Sequence, residues 1–149
     1  MTLNVLKEYI EAEFENIRET AERIESIQSS RSDQPSDIEV AALSVYIHNI
    51  YNGFENILKL VCSFQGRKIQ KTPHWHRELL NVSRDNGVIN LELWANLDKF
   101  LSFRHHLVHS YVFKIEWLAI KNLVDAVQPV TVEFERQLIE YLDCFSKVY

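Results

Sequence analysis

The sequence is poor in the residues that turn or break a chain. Its 149 residues include three glycines, three prolines and two cysteines. A β-rich fold of this length needs turn residues at every hairpin, so their scarcity points to helices. Two cysteines cannot form a disulfide framework. Cys62 falls in an apolar run and Cys144 in the last helical segment, and both are expected to be free thiols in a reducing cytoplasm. No apolar run approaches the roughly 20 residues of a membrane span. Met1-Thr2-Leu3-Asn4 lacks the basic and apolar regions of a signal peptide. The expectation is a cytoplasmic protein with no membrane partner. Positive charge is also short: 16 Lys and Arg against 21 Asp and Glu leave a net charge of −5, the reverse of the balance usual in nucleic-acid-binding domains.

The length suits one domain, residues 1–149, large enough for a sizeable core. The charges are unevenly spread. Glu8, Glu11, Glu13, Glu15, Glu19, Glu22 and Glu25 crowd the first segment. Basic residues recur later, at Arg67, Lys68, Lys71 and Arg77, then at Arg104 and Lys114. Solvated helix faces and loops explain the 67–77 cluster; a local positive groove on an acidic protein is the other reading.

Apolar spacing divides the chain. Leu3, Ile10, Ile17 and Ile24 recur every seven, with Phe14 and Ala21 between them, and predict a helix over 3–28. A polar break covers 29–35. Ser36 and Glu39 have capping-box spacing and open a second helix that Gly66 stops. Gly53 interrupts it, either as a tolerated weakness or where another backbone comes close. Residues 67–89 read as a long connection with room for one short helix around Trp75–Leu80. Asn90 caps a third long helix, whose stripe is Trp94, Leu97, Leu101, Arg104, Val108 and Tyr111. Pro129 with Thr131 is expected to open the last helix, which carries Phe134, Leu138, Tyr141, Leu142, Phe145 and Val148. The predicted fold is all-α, a bundle of four or five helices.

The anomaly is Arg104, a guanidinium on a core-facing stripe. An unpaired buried arginine is costly, so it needs an acidic partner such as Glu55, a polar cleft or an anionic ligand. His105, His106 and His109 follow it. On an ideal helix Tyr111 lies within about 20° of Arg104, and His109 about 140° away. Arg104 and His109 therefore share a site only if the helix distorts or a groove wraps around it, as a two-fold dimer of such helices would provide. Arginine and histidine suit RNA cleavage without a metal. A histidine moves the proton of a ribose 2′-OH, and the arginine holds the phosphate and stabilises its transition state. The bland alternative is a structural ion pair with histidines capping carbonyls. His105-x-x-x-His109 and His74-x-His76 also have zinc-ligand spacing, but no cysteine is near and no HExxH occurs. No metal and no cofactor are expected.

Arg104, four residues, His109, one residue, Tyr111 resembles the Arg-x4-His-x-Tyr motif of HepT-type toxins in the HEPN superfamily. Tyr51–Leu58 is similar to the second helix of these domains, and Trp75–Leu80 to the segment before the motif helix, so the likeness spans roughly residues 3–148. The resemblance implies a HEPN-type helical bundle working as a homodimer, with Arg104 and His109 catalytic in an endoribonuclease acting on mRNA or tRNA. His105 and Glu55 are expected as supporting, RNA-contacting residues. The resemblance further implies an MntA-type nucleotidyltransferase antitoxin that AMPylates Tyr111. Two other readings stand beside it. One is a non-catalytic HEPN module that binds nucleotide or RNA and regulates a partner nucleotidyltransferase. The other is a structural bundle pairing through Trp94, Leu97 and Leu101.

Overall fold

The computed structural model describes residues 1–30 and 33–147. Among them there are five α-helices and no strand. These are α1 (Leu3–Ser29), α2 (Asp37–Phe64), α3 (Trp75–Asp85), α4 (Leu91–Val108) and α5 (Trp117–Ser146), with a short 3-10 turn at Val112–Lys114 before α5. The predicted all-α bundle is the observed architecture.

Local chemistry sets the ends of these helices. Ser36 and Glu39 form the full capping box of α2, each side chain bonding the other's backbone N–H. The Asn90 side chain accepts from Leu93 N at 2.8 Å and opens α4. Gly66, at φ 72°, closes α2: Arg67 N donates to Cys62 O and Gly66 N to Ser63 O, the paired bonds of a left-handed helix stop. Gly87, at φ 77°, closes α3 in the same way.

The core lies where α1, α2, α4 and α5 meet. Phe54 on α2 packs against Phe134 of α5 at 4.8 Å between ring centres and edge-on against Phe100 of α4, while Phe14 of α1 completes the cluster. α2 is the central element and buries residues along nearly its whole length. Gly53 sits against α1, where a Cβ would lie 2.6 Å from Cγ1 of Ile17. The close approach is real, although the neighbour is a side chain rather than a backbone. Cys62 is buried and Cys144 exposed, both free. No helix is long and apolar enough to cross a membrane among the described residues.

Three element-level expectations need correction. The last helix does not begin at Pro129; it begins at Trp117 and runs through Pro129. Its buried stripe, Ile120, Val124, Val127, Val130, Phe134, Leu138 and Leu142, continues unbroken across the proline. Pro129 is on the exposed face, where a missing backbone N–H leaves the carbonyl it would have bonded open to water. The motif helix is also shorter than its pattern suggests. It ends at Val108, so Tyr111 is not on its stripe. Lastly, Trp94, Leu97 and Leu101 are not a free pairing surface. Leu97 and Leu101 are buried in the chain's own core. Trp94 donates to Asn81 of α3 at 3.0 Å and lies beneath the Arg84 guanidinium. Val148 lies outside the described residues.

Candidate functional site: a histidine-lined cleft between α3 and α4

The last two turns of α4 face the start of α3. Between them lies a cleft of about 520 Å³ lined by Pro73, His74, His76, Arg77, Leu101, Ser102, Arg104, His105, Val108 and His109. No Asp or Glu contributes to this lining. Two arginines and four histidines do, on a chain whose net charge is −5. The cleft is therefore an anion-attracting feature on an acidic protein.

The geometry settles how Arg104 and His109 share one site. α4 stops at Val108, and His109 is its C-cap residue at φ −105°, ψ 4°. The backbone leaves the helical path there, and the cleft wraps around the helix end with the first turn of α3 as its opposite wall. A single chain thus brings the two residues to one cleft. His105 and His109 face each other with ring centres 4.4 Å apart, as their i, i+4 spacing predicts. His106 is exposed, with its Nδ1 3.5 Å from Ser110 Oγ, and takes no part in the lining.

Arg104 is half-buried and makes no ion pair with a described residue. Its Nε is a buried donor without a partner. Pairing with Glu55, one of the sequence-based alternatives, does not occur. Glu55 is buried and its Oε2 lies 2.6 Å from Nδ1 of His76. Arg77 is committed to an ion pair with Asp98. Arg104 is left as the arginine of this cleft with no carboxylate bound to it.

A polar seam on α2 backs the cleft. His48, Tyr51 and Glu55 follow one another at steps of three and four, so they share one face of the helix. Burial lowers the His48 pKa below its ordinary 6.5, the Arg104 charge lowers it further, and the Glu55 charge opposes both. Burial raises the Tyr51 phenol well above its ordinary range, assisted by the Glu55 carboxylate. His48 Nδ1, like Arg104 Nε, is a buried atom without a hydrogen-bond partner among the described residues. Unsatisfied groups of this kind cost stability unless water or a ligand satisfies them.

Tyr111 is 69% exposed in the connection after α4. Its ring stacks on Phe113 at 5.6 Å, and Lys114 Nζ lies 5.7 Å from its centre. His74 and His76 share the cleft with His105 and His109, but no three His, Cys, Asp or Glu side chains among the described residues converge as a metal site.

Searches of curated proteins and of solved structures return no match. A family model described as HepT-like protein matches residues 42–145. That span takes in the polar seam of α2, the cleft and nearly all of α5, while α1 lies outside it. With well over half its length matched, the chain belongs to the HepT-like family.

Proposed function

We propose that this chain is the toxin of a toxin–antitoxin pair and acts as a metal-independent endoribonuclease on mRNA or tRNA. The observation that carries this reading is the cleft, lined by cations and histidines and free of carboxylates, in which Arg104 has no counter-ion among the described residues. An RNA phosphate supplies the missing anion. Arg104 holds its non-bridging oxygens and stabilises charge on the pentacoordinate transition state. His109 moves a proton as the 2′-oxygen displaces the 5′-oxygen, and His105 contacts RNA or orients its neighbour. Glu55 supports the site from behind through His76. The products are a 2′,3′-cyclic phosphate and a 5′-hydroxyl.

The same reading makes Tyr111 the point of control. Its phenol is exposed and two residues beyond His109, so a nucleotidyltransferase antitoxin reaches it without unfolding anything. An attached AMP brings a negative charge and strong acceptor oxygens next to Lys114. That charge repels incoming RNA from the chain that leaves the cleft.

The test is cleavage of labelled RNA by the purified chain in EDTA. Arg104→Ala and His109→Ala, both folded, should each lower the rate by about 10²–10⁴-fold. A chain that binds RNA but cleaves none, or a His109→Ala chain as active as the parent, would overturn the ribonuclease reading. The first result would favour a binding module that regulates the transferase.

A further inference from the structure

The cleft contains a histidine outside the Arg104–His109 motif. His76 lines it from α3, with its side chain 17% exposed. Its Nδ1 lies 2.6 Å from Oε2 of Glu55, whose side chain is 4% exposed. A carboxylate only accepts, so this contact is Nδ1–H donating to Glu55. The proton is thereby assigned to Nδ1, and the lone pair of the neutral ring lies on Nε2. The ring is held on a second side by Trp75, whose centre is 3.6 Å from it, and Trp75 is in turn covered by Lys59 at 5.2 Å. No other residue of the cleft lining has a buried carboxylate as its partner. His105 and His109 contact each other instead.

We propose that His76 is the general base of the cleavage and that Glu55 is its positioning residue. This rests on the ribonuclease reading above. Nε2 of His76 takes the proton of the 2′-OH as O2′ forms its bond to phosphorus. The P–O5′ bond breaks, its electron pair leaves on O5′, and His109 in its imidazolium form gives O5′ a proton. His76 ends protonated and His109 neutral, and exchange with water restores both. Glu55 fixes the tautomer that leaves Nε2 free and faces the positive charge His76 gains during the step. Arg104 remains on the non-bridging oxygens. Two histidines then divide the proton transfers that one histidine would otherwise make in turn.

The experiment is the pH profile of single-turnover cleavage of one RNA oligonucleotide by the full chain. A base must be neutral, so it produces the fall in rate toward acid; an acid must be protonated, so it produces the fall toward alkali. His76→Asn keeps an amide donor where Nδ1 stood, and hence the bond to Glu55, but removes the proton acceptor. It should lose about 10²–10⁴-fold in rate and lose the acidic limb. His109→Ala should lose the alkaline limb instead. His76→Gln is the second variant should the first fail to fold, with the same result expected. A His76 variant within threefold of the parent, or a slower one that keeps its acidic limb, would overturn the assignment and leave the ribonuclease reading standing. A parent chain that cleaves nothing at any pH would overturn both.

Discussion

Arg104 shows at the scale of one residue how charge placement makes a site. Its own Nε and the nearby His48 Nδ1 are buried without partners among the described residues. The nearest buried carboxylate, Glu55, is taken by His76. A half-buried guanidinium in such surroundings gains most from an anion entering the cleft. Tyr111 is the residue where sequence periodicity misled, because the helix it seemed to extend ends at Val108. Its exposure makes the control reading testable in a clean way. Tyr111→Phe keeps the ring, its stacking on Phe113 and its contact with Lys114. Only the attachment oxygen is lost. RNA cleavage should be unchanged, while co-expressed nucleotidyltransferase should no longer protect cells. Peptide mass spectrometry of the neutralised parent chain should show AMP on Tyr111. An unmodified Tyr111 in a fully neutralised chain would mean that inhibition is by binding alone.

At the scale of elements, the contact of α1 with α2 rests on Gly53. Glycine inside a helix costs about 1 kcal/mol relative to alanine, so its presence needs a reason. The reason is Ile17, whose inner Cγ1 lies 2.6 Å from where a Cβ would stand. That atom is close to the α1 backbone and Ile17 is buried, so the helices themselves must part. Overpacking of this kind costs about 1–3 kcal/mol, which outweighs the gain in propensity. Gly53→Ala should lower the urea midpoint of unfolding, and Gly53→Ala with Ile17→Ala should fall short of the sum of the two single effects. A Gly53→Ala chain more stable than the parent would show that α1 does not sit this close. Helix α5 carries the opposite lesson. Pro129 read as a start signal, yet the apolar stripe on both sides of it keeps one phase. Burial of that stripe outweighs one lost backbone hydrogen bond on the wet face.

At the scale of the molecule, the chain that leaves the cleft at Val108 carries an exposed apolar border. Val108, Tyr111, Phe113 and Leu118 are exposed by 51%, 69%, 73% and 79% around the end of α4 and the start of α5. A grouped apolar surface beside a polar cleft is the usual mark of an interface. We propose that two chains pair there by two-fold symmetry, through this border rather than through Trp94, Leu97 and Leu101, which the fold already uses. Light scattering at micromolar concentration should give twice the 17.6 kDa chain mass, and Phe113→Glu with Leu118→Glu should return it to the monomer value. A monomeric parent chain would sink this proposal while leaving the single-chain cleft intact.

By itself the sequence determined the helices, most of their ends and the residues proposed to carry the chemistry. Caps at Ser36 and Asn90, the stop at Gly66 and the stripes of α1 and α2 depend on neighbours within a few residues, and such local rules are legible in one dimension. Arg104 stood out because a charge on an apolar stripe is costly wherever the chain goes. The tertiary structure decided which groups meet. That Glu55 binds His76 and not Arg104 depends on how α3 lands against α2, across 21 residues of sequence. That His109 joins Arg104 depends on the point where α4 ends and on the wall that α3 adds. Both follow from long-range packing, where the burial of apolar surface by whole helices outweighs the preference of any one residue and fixes the partners of the few polar groups caught between them.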